Sequence, residues 1–332
     1  MSMLKPEIFR VLPKKLQTAF KKYRSDQLRG LEEIRLRLNK CPELVFSHKS
    51  LMMNDFIFTE NDSKEFLGQI SQHSVYRLED EFRNGYITLS GGHRVGLAGK
   101  VSTEKGRVKA ITHISSFNIR VATAYEGAAK DLVPHLYKEG ISNTLLIGPP
   151  KSGKTTLLRD LVRSVSNGLH GIEAQRVGLI DERSEIAAVL DGSPQHDVGL
   201  RTDVMADCPK SEGMMMMIRS MSPELLAVDE IGHEEDVKSL REAIHAGVGI
   251  VCTVHGQALD EVKNRPILSS LFEEKVFDSY VLLIPRQRSG DIQMIYDKHF
   301  RLIKTLTRRN ANEVDRSDID PVYVHMGRNR YS

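Results

Sequence analysis

The chain has no tryptophan, and aromatic residues fill only 6% of its 332 positions. Stacking of bases on aromatic rings is a common way to hold single-stranded nucleic acid. That shortage, with no recognisable nucleic-acid module in the sequence, argues against DNA or RNA as the partner. Only three cysteines occur, Cys41, Cys208 and Cys252, far apart and with no CxxC pair. They give no sign of a metal site or a disulfide framework, which fits a reducing cytosol. No apolar run approaches the roughly 18 residues that a membrane-spanning helix needs, and the amino terminus lacks a signal-peptide core. A cytoplasmic chain is expected, with any membrane role peripheral.

What is present describes an ordinary globular protein: 40% hydrophobic and 27% charged residues, in a length that suits two domains. The net charge of +3 is too small to imply nucleic acid by itself, but it is unevenly placed. The first fifty residues carry 12 lysines and arginines against 5 acidic residues. Such a run reads either as a solvated helix face or as a patch for anionic lipid or an acidic partner.

Residues 1–138 read as a small α+β domain. KPEIFRVLPKKLQTAFKKYRS has apolar residues at helical spacing. LEEIRLRL and ELVFSH alternate like strands, and GYITLS and HRVGLAGKV flank Gly91 and Gly92 as a β-hairpin would. SFNIRVA predicts one more strand before the helix-like AYEGAAKDLVPHLYKEG. From 139 to 310 the rhythm becomes strand, loop, helix. NTLLIG, RVGLID, ELLAVD, GIVCTVH and YVLLIP are near-continuous apolar runs, the pattern of a parallel sheet covered on both faces. The polar tail, 311–332, and the chain from Arg308 onward are expected to be partly disordered.

Chemistry is concentrated in the second region. Gly148-Pro149-Pro150-Lys151-Ser152-Gly153-Lys154-Thr155 matches GxxxxGK[ST], placed after a strand and before a helix as a phosphate-binding P-loop (Walker A) requires. Backbone N–H groups at such a helix start suit phosphate oxygens. Lys154 would reach the β- and γ-phosphates, the Thr155 hydroxyl would coordinate Mg²⁺, and Thr156 would touch the α-phosphate. ELLAVDEIG then ends an apolar strand in Asp229, suited to the Mg²⁺ shell, and Glu230, suited to deprotonate the attacking water. Together the two motifs indicate ATP hydrolysis.

The next strand, GIVCTVHG, is expected between the P-loop strand and the Asp-Glu strand, which would bring Thr253 or His255 to the γ-phosphate as a sensor. VGLIDERSEI puts Asp181, Glu182, Arg183 and Glu185 at another strand's carboxyl end, where open α/β sheets bind ligands. Glu182 is the candidate for the metal shell or the water network, with a surface ion-pair cluster as the plain alternative. Met214 to Met217 read as core filling or as an interface that repacks. Arg201 and Arg219 could each approach a neighbouring subunit's phosphate.

These motifs, with EIRLRL, FRNGYITLSGGHRVGLAGKV, SFNIR, GPPKSGKTTLLRDLVR, GLIDERSEI and RTDV…CPKSEGMMMMIRSMSPELLAVDEIG, make the chain resemble the stage III sporulation AA family, related to secretion and type IV pilus ATPases. The resemblance spans about residues 5 to 305. It implies a RecA-like P-loop core beside a smaller α+β domain, and a ring hexamer with ATP at subunit boundaries. It also implies a place on the cytosolic face of a membrane channel complex joining mother cell and forespore. The family's Asp box maps onto Asp181-Glu182 and its His box onto His255. Arginines of the amino-terminal domain approach the nucleotide in such proteins, and Arg83, Arg94 and Arg120 are the candidates here. Asp229-Glu230 is complete where many secretion ATPases lack the aspartate. ATP and Mg²⁺ are the expected ligands, and the junction near residues 120–142 is the expected hinge. Two other readings stand beside the motor: a RecA-like nucleic-acid translocase, and a nucleotide-gated scaffold with little turnover.

Overall fold

The computed structural model describes residues 4–46, 49–71, 82, 85–104, 107–122, 126–137, 139–284 and 292–307. The expectations for Arg83 and for the chain from Arg308 onward, including the tail at 311–332, lie outside those residues, as does part of the 120–142 junction.

The chain opens with α1 (Pro6–Val11) and α2 (Lys14–Phe20). The apolar spacing there predicts one helix, but Pro13 divides it. Proline disfavours helical geometry in the residue before it, and Leu12 is extended at φ −70° and ψ 147°. Both halves still bury their apolar stripe through Ile8, Leu12, Leu16 and Phe20. They pack with an antiparallel sheet built from β1 (Leu31–Arg37), β2 (Glu43–Phe46), β3 (Lys49–Met52), β4 (Tyr86–Thr88), β5 (Arg94–Glu104) and β6 (Arg107–Arg120), in the order β3-β2-β1-β6-β5-β4. Helix α3 (Glu60–Ile70) precedes β4 and is held at its start by a reciprocal Thr59–Asp62 capping box.

The hairpin around Gly91 and Gly92 is present, and both glycines are left-handed, at φ 77° and 74°. A second hairpin, β5–β6, is much longer than the SFNIRVA strand foreseen. Three register shifts interrupt its pairing, and each one-residue slip exchanges the inward and outward faces. The period-2 signal is therefore scrambled over most of β6. Gly99 sits at one shift, where an added Cβ would lie 1.8 Å from the His113 carbonyl oxygen.

The second sheet is larger. After α4 (Val133–Tyr137) come β7 (Thr144–Gly148), α5 (Lys154–Asn167), β8 (Val177–Asp181), the small β9–β10 pair (Val189–Leu190 and Ser193–Pro194) and β11 (Thr202–Ala206). Then follow α6 (Lys210–Met221), β12 (Leu225–Val228), α7 (Glu234–His245), β13 (Gly249–His255), α8 (Leu259–Lys263), α9 (Pro266–Glu273), β14 (Ser279–Ile284), β15 (Ile292–Asp297) and β16 (Leu302–Thr307). The order is β11-β8-β12-β13-β7-β14-β15-β16, parallel from β11 to β14 and antiparallel thereafter.

Its central strands are buried on both faces, which is why they read as continuous apolar runs. Leu146, Leu179, Ala227 and Val251 face one core with α4 and α5. Leu145, Ile147, Ile180, Val228 and Cys252 face the other with α6, α7 and α9. Met214 and Met217 fill the second core while Met216 is 57% exposed. Ala128 to Tyr137, foreseen at the end of the amino-terminal unit, pack into the core of the second sheet instead. Among the described residues no helix is long and apolar enough to cross a membrane.

Candidate nucleotide site

Strand β7 ends at Gly148, and six residues later Lys154 begins α5. Lys151 and Gly153 are left-handed, at φ 62° and 85°, and such residues curl a backbone into a concavity lined with N–H groups. Ser152 lies under the loop. Its amide donates to the Pro149 carbonyl at 3.2 Å, and its buried hydroxyl has no hydrogen-bond partner in the protein. A Cβ on Gly148 would stand 2.5 Å from that hydroxyl, so the cradle leaves no room for one. Thr155 and Thr156 follow, both half-buried, in the first turn of α5.

Lys154 is buried, and its ammonium donates to the carbonyls of Gly148 at 2.7 Å and Pro149 at 3.0 Å. Its third proton points to His255 Nδ1 at 3.1 Å. An ammonium has three donors and no acceptor, so all three are spent on the loop and its neighbour strand. Burial pulls the Lys154 pKa down, while Asp229 and Glu230 pull it back up.

Strand order explains how the acidic pair arrives. β13 lies between β7 and β12, as foreseen, with Val228 opposite Cys252 and His255 opposite Gly148. Thr253 then ties the end of β12 in place. Its hydroxyl donates to Asp229 Oδ1 at 2.5 Å and accepts the Glu230 amide at 2.8 Å. Glu230 is left-handed at φ 52°, which turns its carboxylate back toward β13. One oxygen, Oε1, meets His255 Nε2, and the other, Oε2, lies 3.6 Å from Arg183 Nη1. Because lysine can only donate, His255 accepts at Nδ1, and its proton sits on Nε2 facing Glu230. Burial pushes the Asp229 carboxyl up, opposed by the Thr253 hydrogen bond.

The structure thus brings Lys154, His255, Glu230, Asp229 and Thr253 together. Glu182 stands apart: its carboxylate pairs with Lys210 at 2.8 Å rather than joining that group. Asp181 is turned inward and accepts backbone N–H bonds from Glu185, Ile186 and Ala187 at 2.8–3.2 Å. Arg159, which the motif reading passed over, donates to the carbonyls of Glu185 and Ile186 from α5. Its place one helical turn after Thr155 is the signal that could have found it.

The candidate arginines separate as well. Arg201 is tied to Ser166, and Arg219 is exposed on α6. Arg120 is exposed beside Glu33. Arg94 reaches Glu185 at 2.8 Å and the Arg183 carbonyl.

The amino-terminal hairpin is docked against the 183–196 segment. The Gly91 amide donates to Gln195 Oε1 at 3.1 Å, and a Cβ on Gly92 would lie 2.3 Å from the His196 ring. His93 is buried behind it and accepts the Ala122 amide at 2.8 Å. His196 is pulled down to about 4, by burial first and then by Arg159 and His93. Burial likewise lowers His93, with Glu7 opposing. Both imidazoles fold neutral, so their stabilisation is complete above the ordinary imidazole range near 6.5. It is lost as pH falls, for His196 through the window down to about 4. The raised carboxyls of Asp181 and Asp229 act in the opposite direction. The melting temperature is expected to fall between pH 7.5 and pH 5, and to fall less in His196→Gln, as calorimetry at both pH values would show.

A parallel sheet with a GxxxxGK[ST] loop between β7 and α5, and an acidic pair ending the strand two places away, defines a P-loop NTPase fold of the RecA-like kind. The chain belongs to the sporulation stage III, protein AA family, whose pattern matches residues 3–303. It is 46% identical over 301 residues to stage III sporulation protein AA of Bacillus subtilis (strain 168), covering 91% of this chain and 98% of that protein. Among solved structures it is similar to the Legionella pneumophila ATPase DotB, with TM-score 0.58 and 12% identity over 90% of this chain and 84% of that one. It is also similar to the pilus retraction motor PilT with bound ADP, with TM-score 0.58 and 16% identity over 92% and 84%. At those identities the likeness speaks to the fold alone.

Proposed function

We propose that the protein is an Mg²⁺-dependent ATPase motor that energises a channel or secretion complex at a membrane during sporulation. The observation that carries this is the contact chain Lys154–His255–Glu230, which joins the phosphate-binding loop to a carboxylate held against the His255 ring. The triphosphate would displace the Gly148 and Pro149 carbonyls from Lys154 and lie against the loop over Ser152. The orphaned Ser152 hydroxyl and the Cβ-free Gly148 fit a phosphate drawn close to the backbone. Lys151, Ser152, Gly153 and Thr156 would complete the phosphate contacts through their N–H and hydroxyl groups, with Gly148, Pro149 and Pro150 shaping the loop around them.

Thr155 and Asp229 would hold the metal, and one hydroxyl and one carboxylate suit a cation that takes its other ligands from water and phosphates. When bound, Mg²⁺ supplies positive charge to the β- and γ-oxygens. Glu230 then orients the attacking water and takes its proton, while His255 and Arg183 keep the carboxylate aimed. Catalysis of this kind is mostly positioning and charge stabilisation. Glu182 is assigned to its ion pair with Lys210, outside that step.

The resemblance to secretion and pilus ATPases supports the rest of the reading: a hexamer, peripheral on the mother-cell side of the channel, with the amino-terminal sheet rocking against the nucleotide-binding sheet, to which residues 128–137 belong by packing. Phosphate release by the purified chain should require both ATP and Mg²⁺ and stop on chelation. Release no higher than that of Lys154→Ala, with folded wild type and saturating Mg²⁺-ATP, would sink the proposal.

A further inference from the structure

We infer that Arg94, on the amino-terminal sheet, is a positioning residue for Glu230, acting through Arg183. This rests on the reading of Glu230 as the group that activates water. Arg94 opens β5, and its guanidinium lies 3.8 Å from the centre of the Tyr86 ring. From there it crosses to the other sheet's loop, pairing with Glu185 Oε1 at 2.8 Å and donating from Nη2 to the Arg183 carbonyl. Its side chain is only 19% exposed, while its partner Glu185 is 42% exposed and both bonds lie on the solvent side of the loop.

The rest of that loop is held from within its own unit. Asp181 takes the amides of residues 185–187, and Arg159 takes the carbonyls of 185 and 186. Residue 183 lies at the edge of this scaffold. Its side chain is 68% exposed and meets Glu230 at 3.6 Å. An ion pair that open to solvent does little to fix its own geometry, so the backbone must place it. Arg94 holds that backbone at the carbonyl.

The consequence is directional. Glu230 has one oxygen on His255 and the other 3.6 Å from Arg183, so the place of the guanidinium biases which way its remaining lone pairs face. Releasing Arg94 frees the carbonyl of residue 183, lets Arg183 drift, and leaves Glu230 held on one side. Docking of the amino-terminal hairpin thereby reaches the hydrolytic carboxylate without Arg94 touching the nucleotide.

The test is a double-mutant cycle in the full chain with Arg94→Gln, Arg183→Ala and the pair. Each single change is expected to lower kcat about tenfold, with KM and the Kd for labelled ATP within about threefold of wild type. The pair should be no slower than Arg183→Ala alone. Arg94→Lys should fall between, because an ammonium cannot bridge the carboxylate and carbonyl as the guanidinium fork does. Losses that multiply in the pair, or a raised KM with unchanged kcat in Arg94→Gln, would overturn the inference and make Arg94 a direct phosphate contact. Hydrogen exchange without nucleotide supplies an arm independent of turnover. Arg94→Gln should exchange faster at residues 183–184 while β7 and α5 stay protected, and unchanged exchange there would refute the hold on the loop. A wild type without ATP turnover would count against the ATPase reading, and the exchange arm would still decide the contact.

Discussion

Replacing Glu230 with glutamine is expected to lower kcat by about 10²- to 10⁴-fold, the usual range for losing a general base, while ATP still binds. The substitution keeps the shape and removes the acceptor charge. Its effect is enlarged by the neighbours. His255 Nε2 meets one oxygen of residue 230, and the Arg183 guanidinium lies 3.6 Å from the other as an ion-pair partner. An amide offers only one oxygen, so its NH₂ must face one of them. Either the histidine loses its partner or the arginine is pushed away. Steady-state phosphate release measured beside a nucleotide titration separates the two quantities. Wild-type turnover in Glu230→Gln would remove this residue from the chemistry.

Lys154→Ala is expected to act on binding, weakening the Kd for ATP about 100-fold. Hydrogen bonds to charged groups contribute roughly 1.5–3 kcal/mol each, and about 3 kcal/mol corresponds to some 150-fold in affinity. The side chain also has a role before nucleotide arrives. It satisfies the carbonyls of Gly148 and Pro149, and truncation exposes both to whatever water can enter. A modest drop in melting temperature should therefore accompany the loss of binding. Burial disfavours the free ammonium, so the protein spends folding energy to keep a cation there. Titration of labelled nucleotide, with circular dichroism as the control for folding, reads both effects.

Much of the second sheet was legible because its strands are covered on both faces and so appear as uninterrupted apolar runs from Leu145 to Leu283. The functional motifs sit where such runs stop, which is why the sequence groups Lys154, Asp229, Glu230 and His255. Thr253 was legible as a candidate γ-phosphate sensor on the right strand, but not as the tie that holds Asp229 and Glu230. Its two hydrogen bonds to neighbouring positions depend on register. β11, β15 and β16 were missed: β11 and β16 are the edge strands, and β15, paired on both sides, mixes Gln293 and Asp297 into its apolar residues, so all three lack the apolar continuity of the centre.

Asp181 and Glu182 show a finer limit. They are adjacent acids at one strand end, and composition says nothing about which turns inward to collect backbone amides. The structure gives that task to Asp181 and leaves Glu182 to Lys210. Arg94 was named as a candidate, but its partners lie 89 and 91 residues away. No local pattern announces such a pairing. The same holds for Pro13, whose break is plain once seen but competes with a helical stripe that continues across it.

The left-handed backbone at Glu230 has a bearing on attempts to make this protein sturdier. A side chain in that region costs about 1–2 kcal/mol relative to ordinary helical geometry, and glycine or asparagine would sit there more comfortably. Engineering that relieves unfavourable backbone residues one after another would reach position 230 early and would gain stability there by discarding the acid. A thermostable version must therefore draw its improvements from elsewhere and leave this one uncomfortable turn as it is.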